Sequence, residues 1–158
     1  MLAKAQGARV IALDIDESRR KTAKEFGADA VINPLDGSVA EAIRELTGGK
    51  GASISLETSG AAAANRDALD SVSPWGTVCL VGIGSEFNFS LAKYLRTQVR
   101  ILTSWTMSVQ AQRACADFVV DRGLNLDALF TDRWRLEQAK EAYQAFNRQS
   151  GGKGVFLM

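Results

Sequence analysis

The sequence predicts an α/β fold built on a parallel sheet. Short apolar runs alternate with helical stretches, several of the runs are nearly continuous in Val, Ile and Leu, and glycines stand at the helix-to-strand joints. A strand covered on both faces of a parallel sheet reads as such a continuous run, whereas a half-exposed antiparallel strand alternates.

Strands are expected at residues 9–13, 30–32, 53–57, 77–83, 99–103 and 154–158. The opening "MLAKAQGA" has the form of the last turns of a helix that ends at Gly7. Asp16 or Ser18 can cap a helix that stops at Gly27, and Ser38 one that stops near Gly48 and Gly49. A further helix is expected over 61–72, followed by a turn at Pro74-Trp75-Gly76, where proline fixes one backbone angle and glycine permits a tight reversal. Beyond Trp105 the texture changes to two amphipathic helical segments, "SVQAQRACADFVVDRG" and "RLEQAKEAYQAFNRQ", separated by "LNLDALFTDRW". A boundary near residue 106 thus divides a sheet-bearing part, 1–106, from a C-terminal helical segment with a final strand, 107–158.

The 158 residues, 46% hydrophobic and 23% charged, suit a soluble globular domain with a real core. Nineteen basic against eighteen acidic residues leave a formal charge of +1, which gives no field to recruit nucleic acid or an anionic membrane surface. No apolar run approaches the roughly 18 residues of a membrane helix, and the opening has no signal-peptide pattern, so a cytoplasmic location is expected. Cys79 and Cys115 read as free thiols, not as a disulfide. The chain has no histidine, which excludes a His/Cys zinc site, a Ser-His-Asp triad and a Cys-His pair within it.

Two segments, "TGGKGAS" and "SGGKGVF", look superficially like phosphate loops. A Walker loop has Ser or Thr after its lysine and runs from a strand into a helix. Here Gly51 or Gly154 takes that position, and each segment follows a helix and precedes a strand. Both therefore read as helix-to-strand turns.

In open parallel sheets, ligands bind beyond the carboxyl ends of the strands. Asp14, Thr58-Ser59 and Gly82-Ile83-Gly84 all occupy such ends. An acidic residue that ends the second strand of a dinucleotide-binding fold accepts hydrogen bonds from the adenosine ribose and repels a 2′-phosphate, which selects NAD over NADP. Asp14 suits that role, and equally that of a solvated residue or helix cap, although Asp16 competes for the cap. The glycine-rich fingerprint expected about 20 residues earlier would fall ahead of Met1. Gly82-Ile83-Gly84 lacks its third glycine.

The phrases "AKAQGARVIALDIDESRRKTAKEFGADAVIN", "AIRELTGGKGASISLETSG", "WGTVCLVGIGS" and "LEQAKEAYQAF…GGKGVFLM" resemble, in family order over nearly the whole chain, the medium-chain dehydrogenases/reductases. Within that family they resemble the zinc-type alcohol dehydrogenases of the sorbitol and threonine dehydrogenase kind. The resemblance implies an incomplete Rossmann-type, doubly wound sheet without its first strand and glycine-rich loop. It implies that Asp14 binds the adenosine ribose, Ile15 packs on adenine and Arg19 reaches the ribose or a phosphate. Thr58 and Ser59 would border the adenosine half, and Val81, Gly82 and Ile83 would approach the nicotinamide. Ser104, Trp105 and Thr106 would lie on the nicotinamide side, with Lys153 near the pyrophosphate. Read from the residues alone, Val81 and Ile83 suit sheet core equally well, and Arg19 a solvated helix charge.

The resemblance further implies that the zinc ligands, proton relay and substrate pocket belong to a domain outside this chain. The chain would then supply the NAD-binding portion of an alcohol or polyol dehydrogenase, inactive by itself and weak or silent towards NAD. A homo-oligomer joined through the sheet edge near Val99 and Trp105 is expected. A non-catalytic dimerisation module and a truncated product without independent function are the alternatives. In the strand order 3-2-1-4-5-6 the first strand is central. Without it, the strands at 9–13 and 53–57 close on one another, a partner segment fills the gap, or the chain is marginal.

Overall fold

The computed structural model describes residues 1–148 and 152–158. Helix α1 (Leu2–Ala5) leads to strand β1 (Ile11–Leu13), α2 (Glu17–Glu25) and β2 (Ala30–Ile32). Next come α3 (Val39–Leu46), β3 (Ala52–Glu57), α4 (Ala62–Asp70), β4 (Val72–Leu80), α5 (Leu91–Tyr94) and β5 (Arg100–Thr103). Helix α6 (Val109–Asp121), β6 (Phe130–Arg135), α7 (Ala139–Asn147) and β7 (Lys153–Leu157) complete the order. Every strand pairing is parallel, as the sequence predicts: β1 with β2, β3 with β4, β4 with β5, and β6 with β7. A parallel pair needs a crossover, and α2, α4, α5 and α7 each lie between the two strands that their pair joins.

The helix starts follow their capping residues. Asp16 accepts from the Arg19 N–H at 2.9 Å to begin α2, and Ser38 accepts from the Glu41 N–H at 3.3 Å to begin α3. Hydrogen bonds from Ser18 and the Arg19 N–H hold the Asp16 carboxyl below its ordinary range. Lys4 of α1 bonds Asp29, just ahead of β2, at 2.7 Å, and the Val10 N–H donates to the same carboxylate at 2.7 Å. Those two bonds, Lys4 first, also lower the pKa of Asp29.

The main core lies where α4 and α5 meet β4: Ala68, Leu69, Val72, Val78 and Tyr94 are buried together, with Leu80, Phe87, Val99 and Ile101 packed against them. Val78 is fully buried. Val39 and Ile43 bury one side of α3. Across the surface, the Arg44 guanidinium of α3 donates to the Asp70 carbonyl of α4 at 3.2 Å.

Several expectations need correction. Burial on both faces fails for β3: Ile54 and Leu56, two residues apart and so on one face, are 67% and 64% exposed. No described element covers that face. The strands β1 and β3 do not close on one another; they belong to separate sheets, β1-β2 and β3-β4-β5. The two sheets hold the pairings 3-2 and 4-5-6 of the order 3-2-1-4-5-6, with no strand in position 1 among the described residues.

Strand β4 begins at Val72, before Pro74, instead of at 77, and ends at Leu80. The expected turn survives inside it as an irregularity: the register jumps from Ala52 opposite Val72 to Ile54 opposite Thr77, and Trp75 adopts φ +64°. Strand β6 arises within "LNLDALFTDRW", which had been read as a connection. Its side chains alternate half-buried with exposed, the mark of a strand with one covered face. Of "SGGKGVF", Ser150 and Gly151 lie outside the described residues. Among the described residues no helix is long and apolar enough to cross a membrane.

Candidate functional site

The sequence-predicted residues Asp14, Thr58 and Ser59, Val81 to Ile83, and Ser104 to Thr106 each follow the last residue of a parallel strand: Leu13 of β1, Glu57 of β3, Leu80 of β4 and Thr103 of β5. The ladders continue one step past two of these ends, through Asp14 N–H to the Ile32 carbonyl at 3.3 Å and Ser104 N–H to the Leu80 carbonyl at 3.1 Å.

Asp14 and Arg19 form a unit. The Arg19 Nε lies 3.1 Å from Asp14 Oδ1 and 3.0 Å from Oδ2, and the Asp16 N–H donates to Oδ1 at 2.9 Å. Arg20 donates to the Asp14 carbonyl at 2.7 Å. Asp16 takes the capping role, which leaves the Asp14 side chain at the strand end, about one-third exposed beside Arg19. Ile15 next to it is exposed.

Val81 and Ile83 are exposed and stand beyond the end of β4, so the sheet-core reading does not hold for them. Thr58, Ser59 and Trp105 are exposed too. Lys153 is the first residue of β7, opposite Phe130 in the β6-β7 sheet.

Sequence reasoning missed Glu57, the buried last residue of β3. Its carboxylate accepts from the Ser59 N–H at 2.7 Å, the Ser59 hydroxyl, and the Gly60 N–H at 3.0 Å. The signal was present, because Glu57 is an acidic residue at a strand end just as Asp14 is. Gly60 was missed as well, and it meets the predicted Gly82. A Cβ on Gly60 would lie 2.4 Å from the Ile83 carbonyl oxygen, and one on Gly82 would lie 2.1 Å from the Gly60 nitrogen. Only glycine lets the two turns approach this closely. Asn65 of α4 donates to the Ser85 hydroxyl at 3.1 Å, and the Ser85 N–H to the Gly60 carbonyl at 2.9 Å, which extends the seam.

Over residues 1–121 the sequence matches the family model described as zinc-binding dehydrogenase. The chain belongs to that family. The chain is 32% identical to the L-threonine 3-dehydrogenase of Pyrococcus furiosus, over 99% of its own length and 47% of the relative's. It is 35% identical to an uncharacterised zinc-type alcohol dehydrogenase-like protein of Escherichia coli, over 98% of its length and 44% of that protein. It therefore spans about half the length of the curated relatives it matches.

Among solved structures, benzyl alcohol dehydrogenase of Acinetobacter calcoaceticus superposes with a TM-score of 0.87 at 25% identity, covering 98% of this chain and 44% of that one. The alcohol dehydrogenase of Aeropyrum pernix, 22% identical with a TM-score of 0.86, covers 99% of this chain and 45% of its own, and shares the fold. The chain has no histidine, and among the described residues no group of three or more Cys, Asp or Glu is placed to hold a metal ion.

Proposed function

We propose that this chain is the nicotinamide-cofactor-binding portion of a zinc-type alcohol or polyol dehydrogenase. The observation that carries the reading is that Asp14, Thr58-Ser59 and Val81-Gly82-Ile83 each stand directly after the last residue of a parallel strand, the kind of position at which such sheets bind ligands. The chemistry of the edge suits the group. A carboxylate with Arg19 beside it and an exposed Ile15 offer an acceptor and an apolar shelf.

In this reading Asp14 accepts from the adenosine ribose and repels a 2′-phosphate, so NAD is preferred over NADP. Ile15 packs on adenine, and Arg19 holds the Asp14 carboxylate in place while facing the ribose or a phosphate. Thr58 and Ser59 border the adenosine half, and Val81, Gly82 and Ile83 hold the nicotinamide, with Ser104, Trp105 and Thr106 on the same side. The bound nicotinamide supplies the hydride chemistry. These residues bind and orient it. No step here is assigned to zinc.

We further assign residues 1–106 to the cofactor domain and 107–158 to a segment that packs towards a catalytic domain. The two free cysteines fit a cytoplasmic setting. β5, paired only with β4, with Leu102 52% and Trp105 79% exposed, supports self-association through that edge. Sedimentation that remains monomeric at all concentrations would remove the oligomer.

The decisive experiment is titration of the 158-residue chain with NAD by calorimetry and amide NMR. Binding should be weak or undetectable by heat, because among the described residues no Gly-x-Gly-x-x-Gly turn leads from a strand into a helix to hold the pyrophosphate. Any NMR shifts at high NAD should fall on Asp14, Thr58, Ser59 and Val81 to Ile83. A micromolar dissociation constant would overturn the weak-binding expectation, and shifts elsewhere would overturn the site. Purified chain with zinc and alcohols or polyols should not reduce NAD.

A further inference from the structure

Glu57 is 5% exposed and touches both turns of the candidate edge through different atoms. Its side chain accepts from the Ser59 N–H at 2.7 Å, from the Ser59 hydroxyl, and from the Gly60 N–H at 3.0 Å through Oε1 and 3.1 Å through Oε2. All these partners are donors, which suits an acceptor-only carboxylate. Its main-chain carbonyl accepts from the Val81 N–H at 2.8 Å and the Gly82 N–H at 3.1 Å. A side chain on Gly82 would lie 2.7 Å from Glu57 Oε2, so the β4 turn is seated directly on the carboxylate.

We infer that Glu57 is a positioning residue that couples the turn after β3 to the turn after β4, so that the residues facing the two halves of the cofactor move as one body. Four backbone amides that would otherwise lie in two independent loops converge on one buried residue. Charge-assisted hydrogen bonds to a carboxylate are stronger than neutral ones, and a buried carboxylate is costly to leave unpaired, so the turn after β3 cannot open without exposing it. Glu57 is buried beneath the edge. It acts through Ser59, Gly60, Val81 and Gly82. The functional weight of this coupling rests on the cofactor reading of the edge, whereas the coupling itself is measurable without any cofactor.

The test is native-state amide hydrogen exchange, residue by residue, on the 158-residue chain and on Glu57→Gln. In the wild type, Ser59, Gly60, Val81 and Gly82 should be protected and should lose protection together along a denaturant series, as one cooperative unit. Glu57→Gln presents an amide donor to the turn while keeping the carbonyl that Val81 and Gly82 use. Exchange should rise about tenfold or more at all four sites while Val78 changes little, the scale expected for losing a hydrogen bond to a charged acceptor.

Faster exchange at Ser59 and Gly60 alone, or a uniform rise that includes Val78, would overturn the coupling. If the variant fails to fold, unlinked opening of the two turns in the wild type overturns it equally. Shifts induced by NAD away from this edge would defeat the cofactor reading and with it the positioning role. Uncoupled turns with NAD shifts still on the edge would defeat the Glu57 inference alone.

Discussion

The Tyr94 hydroxyl donates a 2.6 Å hydrogen bond to Asp70 Oδ1, which joins the short helix α5 to the end of α4. Lys93 pairs with the same oxygen at 2.5 Å, and its ammonium lies 5.1 Å from the Tyr94 ring centroid. Tyr94 is buried, with its ring stacked on Phe89 at 5.2 Å. Replacing Tyr94 with Phe keeps the stacking and removes the bond to the carboxylate. It should cost about 1.5 kcal/mol in urea unfolding, the typical worth of a hydrogen bond to a charged group. No measurable change would mean that Lys93 alone satisfies Asp70.

Asp70 and Asp67, on one helix, should answer acid in opposite senses. Burial, the largest influence on Asp70, pushes its pKa up, but hydrogen bonds from Lys93 and Tyr94 and the charges of Lys93 and Arg44 together leave it lowered. Its contribution is therefore full above the ordinary carboxylate range, about pH 4, and is lost as pH falls through the lower folded pKa. Asp67 is raised, by burial first and then by the charge of Asp70. It weakens the fold at neutral pH, and that penalty is relieved as pH falls through its raised pKa. Melts from about pH 3 to 7 should show Asp67→Asn more stable than wild type at neutral pH. Asp70→Asn should be less stable there, with a smaller loss in acid.

Two glycines of similar backbone angle separate strain from crowding. Gly7 (φ +87°) has no atom within 4 Å of a would-be Cβ, whereas at Gly60 (φ +72°) the Ile83 carbonyl oxygen is 2.4 Å away. Gly7→Ala should cost about 1 kcal/mol from the left-handed backbone alone. Gly60→Ala adds overpacking against the β4 turn and should cost about 3 kcal/mol or more. Equal losses in thermal melts would mean that the two turns move apart freely.

Val78 is the centre of the main core, with no exposed surface. Val78→Ala removes two methyl groups from a site held by Leu69, Val72 and Tyr94 and should cost about 2 kcal/mol, transfer and cavity together. A midpoint shift in urea with an unchanged slope would confirm a loss of packing without a change in the unfolded state.

The parallel pairings, the caps at Asp16 and Ser38 and the placement of Asp14 were legible because each depends on local chemistry: β-branched runs, a short polar cap, an acidic residue at a strand end. Strand β6 was not legible, since "FTDRWR" mixes charges with apolar residues and is organised by β7, which lies more than a dozen residues further on. Exposure of Ile54 and Leu56 was likewise invisible, because a run such as "SISLE" records what a strand can bury and not which neighbours are there to cover it. At the candidate edge, Ile83 was legible by position, but Glu57 was not. Its importance comes from four amides that meet only when β3 and β4 lie side by side.

The seam between Gly60 and Gly82 also limits how this surface can vary. Where the main chains of two turns lie in contact, their shape depends on positions that cannot accept any side chain, so substitutions that preserve the seam fall on its outward neighbours, Thr58, Val81 and Ile83. In the cofactor reading proposed above, ligand preference would be tuned at those positions while the contour beneath them stays the same.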